Sequence, residues 1–362
     1  MQQPALFSPA VQRTLRQLPV IGEQRDITYY DTHARSILNG PETTGMGFWS
    51  INPYIGCAFG CAYCYARYAH RYVMERAVDA DRLVGAAERD VGHIPPWLAF
   101  ERHIFVKRNA PQLLARTLRH GSDRVRALAQ SDWIAIGTAT DPYQPAERRF
   151  RVTRGILEVL AEHPGLHVSI TTKSPLVTRD ADVMARIARH SSISVHVSLI
   201  TVDRGLARRL EPRAPTPESR LRAIGRLRAA GVAVSVNCMP VLPGITDHPR
   251  DLEALVRRVA EAGATHIATG SLRLQHEARK RYLPFIAQEF PELASRYARA
   301  YAHDHKPSDR YRTALTALMT RLCRAHGVYR ERDDDTEMYD APDPAPASVA
   351  LDASAVQLAL PL

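Results

Sequence analysis

Short apolar runs rich in β-branched residues alternate along the chain with stretches in which apolar residues recur every three or four positions. The apolar runs predict strands at Phe48–Ile55, His103–Val106, Trp133–Thr138, Leu166–Thr172, Ser194–Ile200, Val232–Cys238 and His266–Gly270. The other stretches predict helices at Gly155–Glu162, Asp180–Arg189, Glu218–Ala230 and Pro249–Ala262. Gly231 and Gly263 each follow one of these helices, where a left-handed C-terminal cap favours glycine.

The alternation predicts an α/β fold with a parallel sheet covered by helices, because strands that are apolar throughout are buried on both faces. About six strand–helix units indicate a partial (β/α)6 TIM-like barrel over residues 46–275, with the His103–Val106 strand either in the barrel or at an added edge. We predict an irregular arm over 1–45 and a helical C-terminal extension over 276–330. Residues 331–362 are acidic and rich in Pro and Ala, which predicts a disordered tail.

The composition favours a soluble protein with a basic body. The 362 residues are enough for a large core and carry a net charge of +10. Residues 331–362 hold eight acids and one arginine, so the rest of the chain carries +17. Such a body suits a polyanion such as DNA, or is simply a soluble basic surface. We expect a cytoplasmic protein, since we find no run of about 18 apolar residues and no signal-peptide pattern.

The most specific motif is a loop directly after the first predicted strand. It contains Cys57, Cys61 and Cys64 in C-x3-C-x2-C spacing, with Tyr63 before the last cysteine. Three thiolates at this spacing can bind three irons of a [4Fe–4S] cube and leave the fourth iron without a protein ligand. The amine and carboxylate of S-adenosylmethionine can chelate such an open iron.

Two other uses of these cysteines are weaker. A structural zinc site usually needs a second cysteine pair, whereas Cys238 and Cys323 are solitary. A disulfide framework is disfavoured by the odd number of cysteines in a chain of this size. The motif resembles the signature of the radical SAM superfamily. That resemblance implies reductive cleavage of S-adenosylmethionine to a 5′-deoxyadenosyl radical, which abstracts a hydrogen from substrate, and a flavodoxin- or ferredoxin-type electron donor.

Further motifs sharpen the resemblance over about residues 37–325. They are similar, in order, to motifs of the spore photoproduct lyase-like (DNA repair photolyase-like) branch of the superfamily. These motifs are Thr138–Glu147, Thr171–Ser174, Leu210–Arg220 and Met239–Gly244.

The resemblance assigns cofactor roles to polar residues near the strand ends, where barrel chemistry is located. It places Thr140 and Asp141 at the methionine amine, and an ammonium, which offers only donors, suits their oxygens. It places Lys173 at the methionine carboxylate. This suits the residue, since a lysine at the mouth of an apolar strand needs a charged partner or water. The other predicted members of the cofactor site are Tyr63, Ser198, Glu211, Arg220 and Asn237.

Several of these residues have a structural alternative. Asp141 precedes a proline and suits an ordinary turn, and a serine such as Ser198 is often satisfied by the backbone. Glu211 and Arg220 either pair with each other at the surface or meet the cofactor and substrate. Arg273, after the last predicted strand, is a candidate for a substrate phosphate or carboxylate.

One position departs from the branch. In the enzyme that gives the branch its name, a cysteine two residues before the position of Thr140 returns a hydrogen atom to the product radical. Thr138 stands there in this chain, and a threonine O–H bond is too strong for that role, so repair of the spore-specific thymine dimer is in doubt. Cys238 and Tyr143 are the candidate catalytic donors in its place. Cys238 is alternatively an inert core thiol, as we expect for Cys323.

The chain ends in a short apolar peptide on the acidic tail. It resembles the peptide by which bacterial replication and repair proteins dock on the sliding clamp, with a glutamine at the rim and leucines in an apolar pocket. Its residues are Gln357, Leu358, Leu360 and Leu362. The alternative is an apolar terminus without a partner.

These observations give one main hypothesis and two alternatives. The main hypothesis is a radical SAM enzyme that acts on DNA, with a damaged base extruded into the barrel mouth. The first alternative keeps the radical chemistry but modifies RNA or a small molecule. The second is a non-catalytic iron–sulfur DNA-binding protein that is tethered to the sliding clamp.

Overall fold

The computed structural model describes residues 20–24, 26–41, 47–67, 96–120, 128 and 132–329. Its strands are β1 (Val20–Gln24), β2 (Ile27–Thr32), β3 (Leu38–Asn39), β4 (Trp49–Ile51), β5 (Tyr54–Ile55), β6 (His103–Lys107), β7 (Trp133–Ile136), β8 (His167–Thr172), β9 (Ser192–Ser198), β10 (Ala233–Val241) and β11 (Ile267–Ser271). Its α-helices are α1 (Pro96–Ala99), α2 (Ala110–His120), α3 (Ala146–Phe150), α4 (Val152–Leu160), α5 (Ala181–Ile187), α6 (Arg204–Leu210), α7 (Pro217–Ala229), α8 (Pro249–Glu261), α9 (His276–Glu289), α10 (Pro291–Ala300) and α11 (Asp309–Ala325). Tyr65–Arg67 and Pro175–Asp180 are 3-10 helices.

The main sheet has seven strands in the order β11-β10-β9-β8-β7-β4-β3. Six of these strands, β4 and β7 to β11, are parallel to one another, and β3 is an antiparallel edge on β4. This arrangement confirms the α/β fold with a partial barrel. Because all six parallel strands end on the same side, the residues that follow them meet at one mouth.

A second sheet, in the order β1-β2-β6-β5, lies outside the barrel sheet. It includes the His103–Val106 strand, which pairs with β2 and β5 rather than with a barrel strand. The predicted strand Phe48–Ile55 is divided between the two sheets as β4 and β5, with Asn52 and Pro53 between them. A proline cannot donate to a sheet ladder, so the break falls where the chain requires it. The prediction of an irregular arm is wrong where the structure describes β1, β2 and β3.

The barrel core lies between the strands and the helices on their outer face. Val168, Ile170 and Val195 are fully buried on that face. Side chains alternate between the two faces of a strand, so Ser169 and Ser198 point away from this core and face the lumen. Gly231 and Gly263 have φ of +78° and +88°, which confirms the left-handed caps after α7 and α8.

The predicted helical C-terminal extension is present as α9, α10 and α11. Helices α9 and α10 close one side of the barrel mouth, since their side chains share a core with the cysteine loop. Within the described residues, no helix is both long and apolar enough to cross a membrane. The acidic tail, and with it the predicted clamp peptide, lies outside the described residues.

Candidate active site

The cysteine loop begins at the end of β5 and is held by backbone contacts on both sides. Cys57 N donates to Phe100 O over 2.9 Å, and Ala62 N donates to Leu210 O over 2.9 Å. Gly56 has φ of +85°, and a side chain there would lie 2.8 Å from the carbonyl oxygens of His103 and Phe100. Only glycine fits this approach, so the loop geometry depends on that residue.

Thr140 and Gln144, which follow β7, fasten the start of the same loop. Thr140 Oγ1 donates to Gly56 O over 2.6 Å, and Gln144 Nε2 donates to that oxygen over 3.0 Å. Gln144 Oε1 accepts from Ala58 N over 3.0 Å. Gln144 is fully buried, and the sequence reasoning missed it although it lies inside a quoted motif.

The three thiols of the loop lie together against the barrel mouth. Cys57 and Cys61 are buried and Cys64 is partly exposed. Burial raises the pKa of the Cys57 thiol well above its ordinary value, and Asp141 and the other two cysteines raise it further. Burial raises the pKa of Cys61 to about 12, with Lys173 acting in the opposite direction. Thiols of this kind become thiolates when a metal replaces the proton.

The three cysteines of the loop fit an iron–sulfur cluster. Within the described chain, no group of three or more His, Cys, Asp or Glu side chains is close enough to hold one metal ion. In a [4Fe–4S] cube each cysteine binds a different iron, so the three sulfurs do not have to converge on one metal position. The loop therefore suits a cluster with one iron free of protein ligands.

Asp141 joins the ends of β7 and β8. Its Oδ1 accepts from Thr172 Oγ1 over 2.7 Å and from Tyr143 N over 2.9 Å, and its Oδ2 accepts from Lys173 N over 2.8 Å. Burial raises the pKa of this carboxyl, against those hydrogen bonds. The turn expected at Asp141 and the placement at the mouth therefore both hold, while contact of Asp141 with the methionine amine stays a prediction.

A buried charge network lies beside the cysteine loop. Glu211 accepts a hydrogen bond from the Tyr63 hydroxyl and pairs with the Arg220 guanidinium. Lys173 Nζ lies 3.9 Å from Glu211 Oε1 and 5.6 Å from the centre of the Tyr63 ring. Burial opposes ionisation of Glu211, but Arg220 and Lys173 outweigh it and hold the pKa of Glu211 below its ordinary value. Glu211 is therefore ionised and interacts with two cations, Arg220 and Lys173.

Arg220 connects this network to the barrel wall. Its Nη1 donates to Ser198 O over 3.0 Å and its Nε donates to Pro215 O over 2.9 Å. The pairing alternative for Glu211 and Arg220 is thus realised, but in the interior rather than at the surface, since both side chains are 1% exposed. Ser198 lies beside Asn237 in the register of β9 and β10, and both are buried at the mouth end.

The side chains of two predicted catalytic residues are buried in the core. Cys238 is fully buried in the core between the strands and helices, where burial raises its pKa to about 12 and Cys323 adds to the effect. Tyr143 belongs to the same core, and burial raises the pKa of its hydroxyl, as do Asp180 and Glu147. The hydrogen-donor role of both residues stays a prediction, which their burial in the core does not support. The alternation of side chains along β10 sends Cys238 to the opposite face from Asn237.

Thr138 lies at the mouth, as its position after β7 predicts. Its Oγ1 accepts from Asn52 Nδ2 over 3.0 Å, and its carbonyl accepts a hydrogen bond from the Tyr65 hydroxyl. Tyr65 is half exposed. Asn52 Oδ1 also accepts a hydrogen bond from Ala139 N over 2.8 Å, a contact that the sequence did not predict. Arg273 follows β11 at this end of the barrel.

Comparisons with known proteins agree with this architecture. The family model described as the radical SAM superfamily matches residues 106–263. An uncharacterized protein of Mycobacterium tuberculosis is 33% identical over 335 residues, which cover 91% of this chain and 91% of that protein. An uncharacterized protein of Methanocaldococcus jannaschii is 29% identical over 197 residues, which cover 54% of this chain and 61% of that protein.

The fold is similar to solved structures of spore photoproduct lyase. A doubly substituted variant with bound AdoMet and dinucleoside spore photoproduct has a TM-score of 0.59 and 14% identity, and the match covers 85% of this chain and 84% of that one. A singly substituted variant gives a TM-score of 0.58 with 15% identity and the same coverage of both chains. The likeness extends beyond the barrel, because it covers most of the described residues.

Proposed function

Because this chain belongs to the radical SAM superfamily, we propose that Cys57, Cys61 and Cys64 bind its [4Fe–4S] cluster and that the adjoining barrel mouth binds S-adenosylmethionine. When bound and reduced, the cluster supplies one electron that cleaves S-adenosylmethionine to methionine and a 5′-deoxyadenosyl radical. The observation that carries the assignment is the convergence of the cysteine loop with Lys173 and the Glu211 network at a single mouth.

Lys173 is the proposed partner of the methionine carboxylate. Its Nζ is a cation held near Cys61 and Cys64, and its pKa is raised overall because these groups and Glu211 outweigh the effect of burial. Glu211 and the Tyr63 ring fix the position of the ammonium from one side and leave its other donors for a ligand. Lys173, held in place by Glu211, thus orients the cofactor before any chemistry occurs.

The other mouth residues divide into binding and positioning groups. Ser198 and Asn237 lie side by side on the lumen face and are proposed to contact the ribose or adenine. Thr140 and Asp141 are proposed at the methionine amine, with oxygens that also hold the cysteine loop and the end of β8. Arg220 acts through Glu211. Arg273 is proposed to meet a phosphate or carboxylate of the substrate.

We infer that the substrate is DNA with a damaged base. The net charge of +10, concentrated in the body, favours a polyanionic substrate. The fold likeness to spore photoproduct lyase, whose structure contains a dinucleoside spore photoproduct, supports the same substrate class. A base must leave the helix stack to reach a barrel mouth, and damaged bases leave it at lower cost.

The test is transfer of deuterium from substrate to cofactor. Oligonucleotides with deuterated thymidine, with and without ultraviolet damage, are incubated anaerobically with the reduced, cluster-loaded protein and S-adenosylmethionine. Deuterium in 5′-deoxyadenosine, found by mass spectrometry only with damaged DNA, supports the proposal. If 5′-deoxyadenosine takes up deuterium from deuterated RNA, or takes up none from any nucleic acid, DNA repair is the wrong function.

Radical modification of RNA or of a small molecule remains the second candidate, and the cysteine positions favour it. The sequence has five cysteines, of which three form the loop and two, Cys238 and Cys323, lie in the core. No thiol therefore faces the mouth apart from the loop cysteines, and Thr138 occupies the position of the donor cysteine. A reaction that does not return a hydrogen atom to its product fits this arrangement.

Two partners and a location complete the proposal. A flavodoxin- or ferredoxin-type protein supplies the electron in the cytoplasm. The peptide that contains Gln357, Leu358, Leu360 and Leu362 is proposed to bind the bacterial sliding clamp. Removing residues 357–362 should abolish clamp binding in surface plasmon resonance and leave cleavage of S-adenosylmethionine unchanged. Unchanged clamp binding would end that part of the proposal.

A further inference from the structure

The cysteine loop has two sides, and only one of them faces the barrel mouth. Toward the mouth it meets Lys173 and Glu211. On its other side Gly60, between Cys57 and Cys61, has φ of +66° and lies against Glu101 and Arg213. An added Cβ at Gly60 would be 3.2 Å from Glu101 Oε2 and 3.7 Å from Arg213 Nε, so these side chains form the layer that covers this side of the loop.

That layer is rich in arginine. The Arg213 side chain is 30% exposed, and its Nη2 lies 3.5 Å from Asp26 Oδ2 and 3.9 Å from Glu101 Oε1. Arg102 lies 3.7 Å from the same Asp26 carboxylate and is 37% exposed. Arg281 lies on α9, which packs against the Tyr65–Arg67 helix and α1, and its charge interacts with this group. Burial lowers its pKa, Glu101 opposes this, and Arg67 and Arg213 add to the lowering.

The layer is mechanically continuous with the loop. Arg67 is fully buried, and its Nη2 donates to Cys61 O and to Glu101 Oε2, each over 2.7 Å. Arg213 N donates to Phe59 O over 3.2 Å. We name Arg102, Arg213 and Arg281 the basic patch. Among the described residues, Arg67, Arg102 and Arg213 share two carboxylates, Asp26 and Glu101, and Arg281 adds a fourth positive charge, so positive charge is in excess.

We propose that the basic patch is the docking surface for an acidic one-electron carrier protein, which passes its electron through the Gly60 side of the loop to the cluster. The inference rests on the proposed function, since it assumes that the three cysteines hold the cluster. The mouth side must be free for S-adenosylmethionine and substrate when the electron arrives, so the electron enters from the opposite side. Tunnelling rates fall steeply with distance, and the partly exposed Arg213 side chain lies directly against Gly60, which gives a short path from the surface to the loop.

The charge favours this occupant. Electron-transfer encounters are small, transient interfaces, and complementary charge raises their association rate by about 10- to 1,000-fold at low salt. Nucleic acid is the competing polyanion. DNA whose damaged base enters the mouth does not need the opposite side of the loop, so we assign the patch to the carrier and let the experiment decide between them.

The test compares two routes of reduction in the cluster-loaded full chain. Anaerobic stopped-flow absorbance follows reduction of the cluster by a reduced flavodoxin, an acidic protein, and by photoreduced deazaflavin, a small uncharged reductant. We expect the R213E/R281E variant to lose at least tenfold in the flavodoxin rate at low salt and most of the salt dependence, with an unchanged deazaflavin rate. R102E, which changes a partly exposed residue, should show a smaller loss, and D26K should react faster than the wild type.

The controls separate the outcomes. R321E, a charge reversal on an exposed residue of α11, should leave both rates unchanged. Equal flavodoxin rates in all variants, or no reduction by flavodoxin, would overturn the inference, as would patch variants that lose duplex DNA in fluorescence anisotropy but keep the flavodoxin rate. If deazaflavin reduces the cluster and the wild type then forms no 5′-deoxyadenosine, the proposed function fails, and the reduction rates still decide the docking site.

Discussion

Lys173 Nζ lies 3.9 Å from Glu211 Oε1, between the end of β8 and the cysteine loop. The lysine side chain is 16% exposed and the glutamate 1%, so their interaction is only weakly screened by water. Glu211 is already neutralised by Arg220. The lysine therefore contributes a surplus cation at the mouth, and an anionic group of a ligand can accept its remaining donors.

The K173M variant should bind S-adenosylmethionine at least about tenfold more weakly, because loss of one buried charged partner costs more than about 1.4 kcal/mol. The affinity is measured by titrating the cluster-loaded protein and following the change in its EPR spectrum. K280M, at a lysine that is 49% exposed on α9, is the matched control. Equal affinities in K173M and the wild type would remove Lys173 from the cofactor site.

The R220M variant should lose about 3–5 kcal/mol of unfolding free energy, since it leaves the buried Glu211 carboxylate without its main partner. The E211Q/R220M double variant should recover much of this loss, because no unpaired charge remains. Urea denaturation followed by circular dichroism measures both. A double variant that is less stable than R220M would contradict the view of the pair as mutual compensation.

The G56A variant should fail to hold the cluster. Its side chain would lie 2.8 Å from two backbone carbonyl oxygens, and its φ of +85° is strained for any other residue. G231A is the matched control: it has φ of +78° but, among the described residues, no atom within 4 Å of the new Cβ. Iron and sulfide per chain after reconstitution should be near zero in G56A and normal in G231A. Normal loading of G56A would show that the loop tolerates a different path.

Stability should fall between pH 7 and pH 5 through His196. Burial, with His266, lowers the pKa of His196 to about 4, and its ring nitrogens lie 2.6 Å from Ser235 Oγ and 3.2 Å from Ser194 Oγ. The unfolded chain, with a histidine pKa of about 6.5, binds the proton more readily, so acidification favours unfolding. The contribution is complete above about pH 6.5, and about 2 kcal/mol is lost by pH 5. Urea denaturation of H196N at the two pH values should show a smaller difference than the wild type; an equal difference would assign the pH dependence to other groups.

The fold and the cysteine loop were predictable because both follow from residue patterns over short stretches of the sequence. Strand periodicity gave the parallel barrel, and the spacing of Cys57, Cys61 and Cys64 gave the loop chemistry. The strand alternation also predicts the position of Cys238: its neighbour Asn237 faces the lumen, so Cys238 faces the helices.

The supporting contacts of the site were not predictable, because they join distant parts of the chain. Gln144 reaches Gly56 across 88 positions, and Asn52 reaches Thr138 across 86. No local pattern distinguishes such a glutamine or asparagine from a loop residue. The buried position of Arg220 was missed for the same reason: its charge suggested a surface pair, whereas Glu211 and two backbone carbonyls satisfy it in the interior.

The most direct test of the central claim measures 5′-deoxyadenosine after anaerobic reconstitution, reduction and addition of S-adenosylmethionine. We predict product from the wild type and from C238A, whose thiol lies in the core, and none from C61A. Product from C61A at the wild-type level, or a wild type that forms no product and shows no change in its EPR spectrum with S-adenosylmethionine, would contradict the assignment of the cluster to this loop.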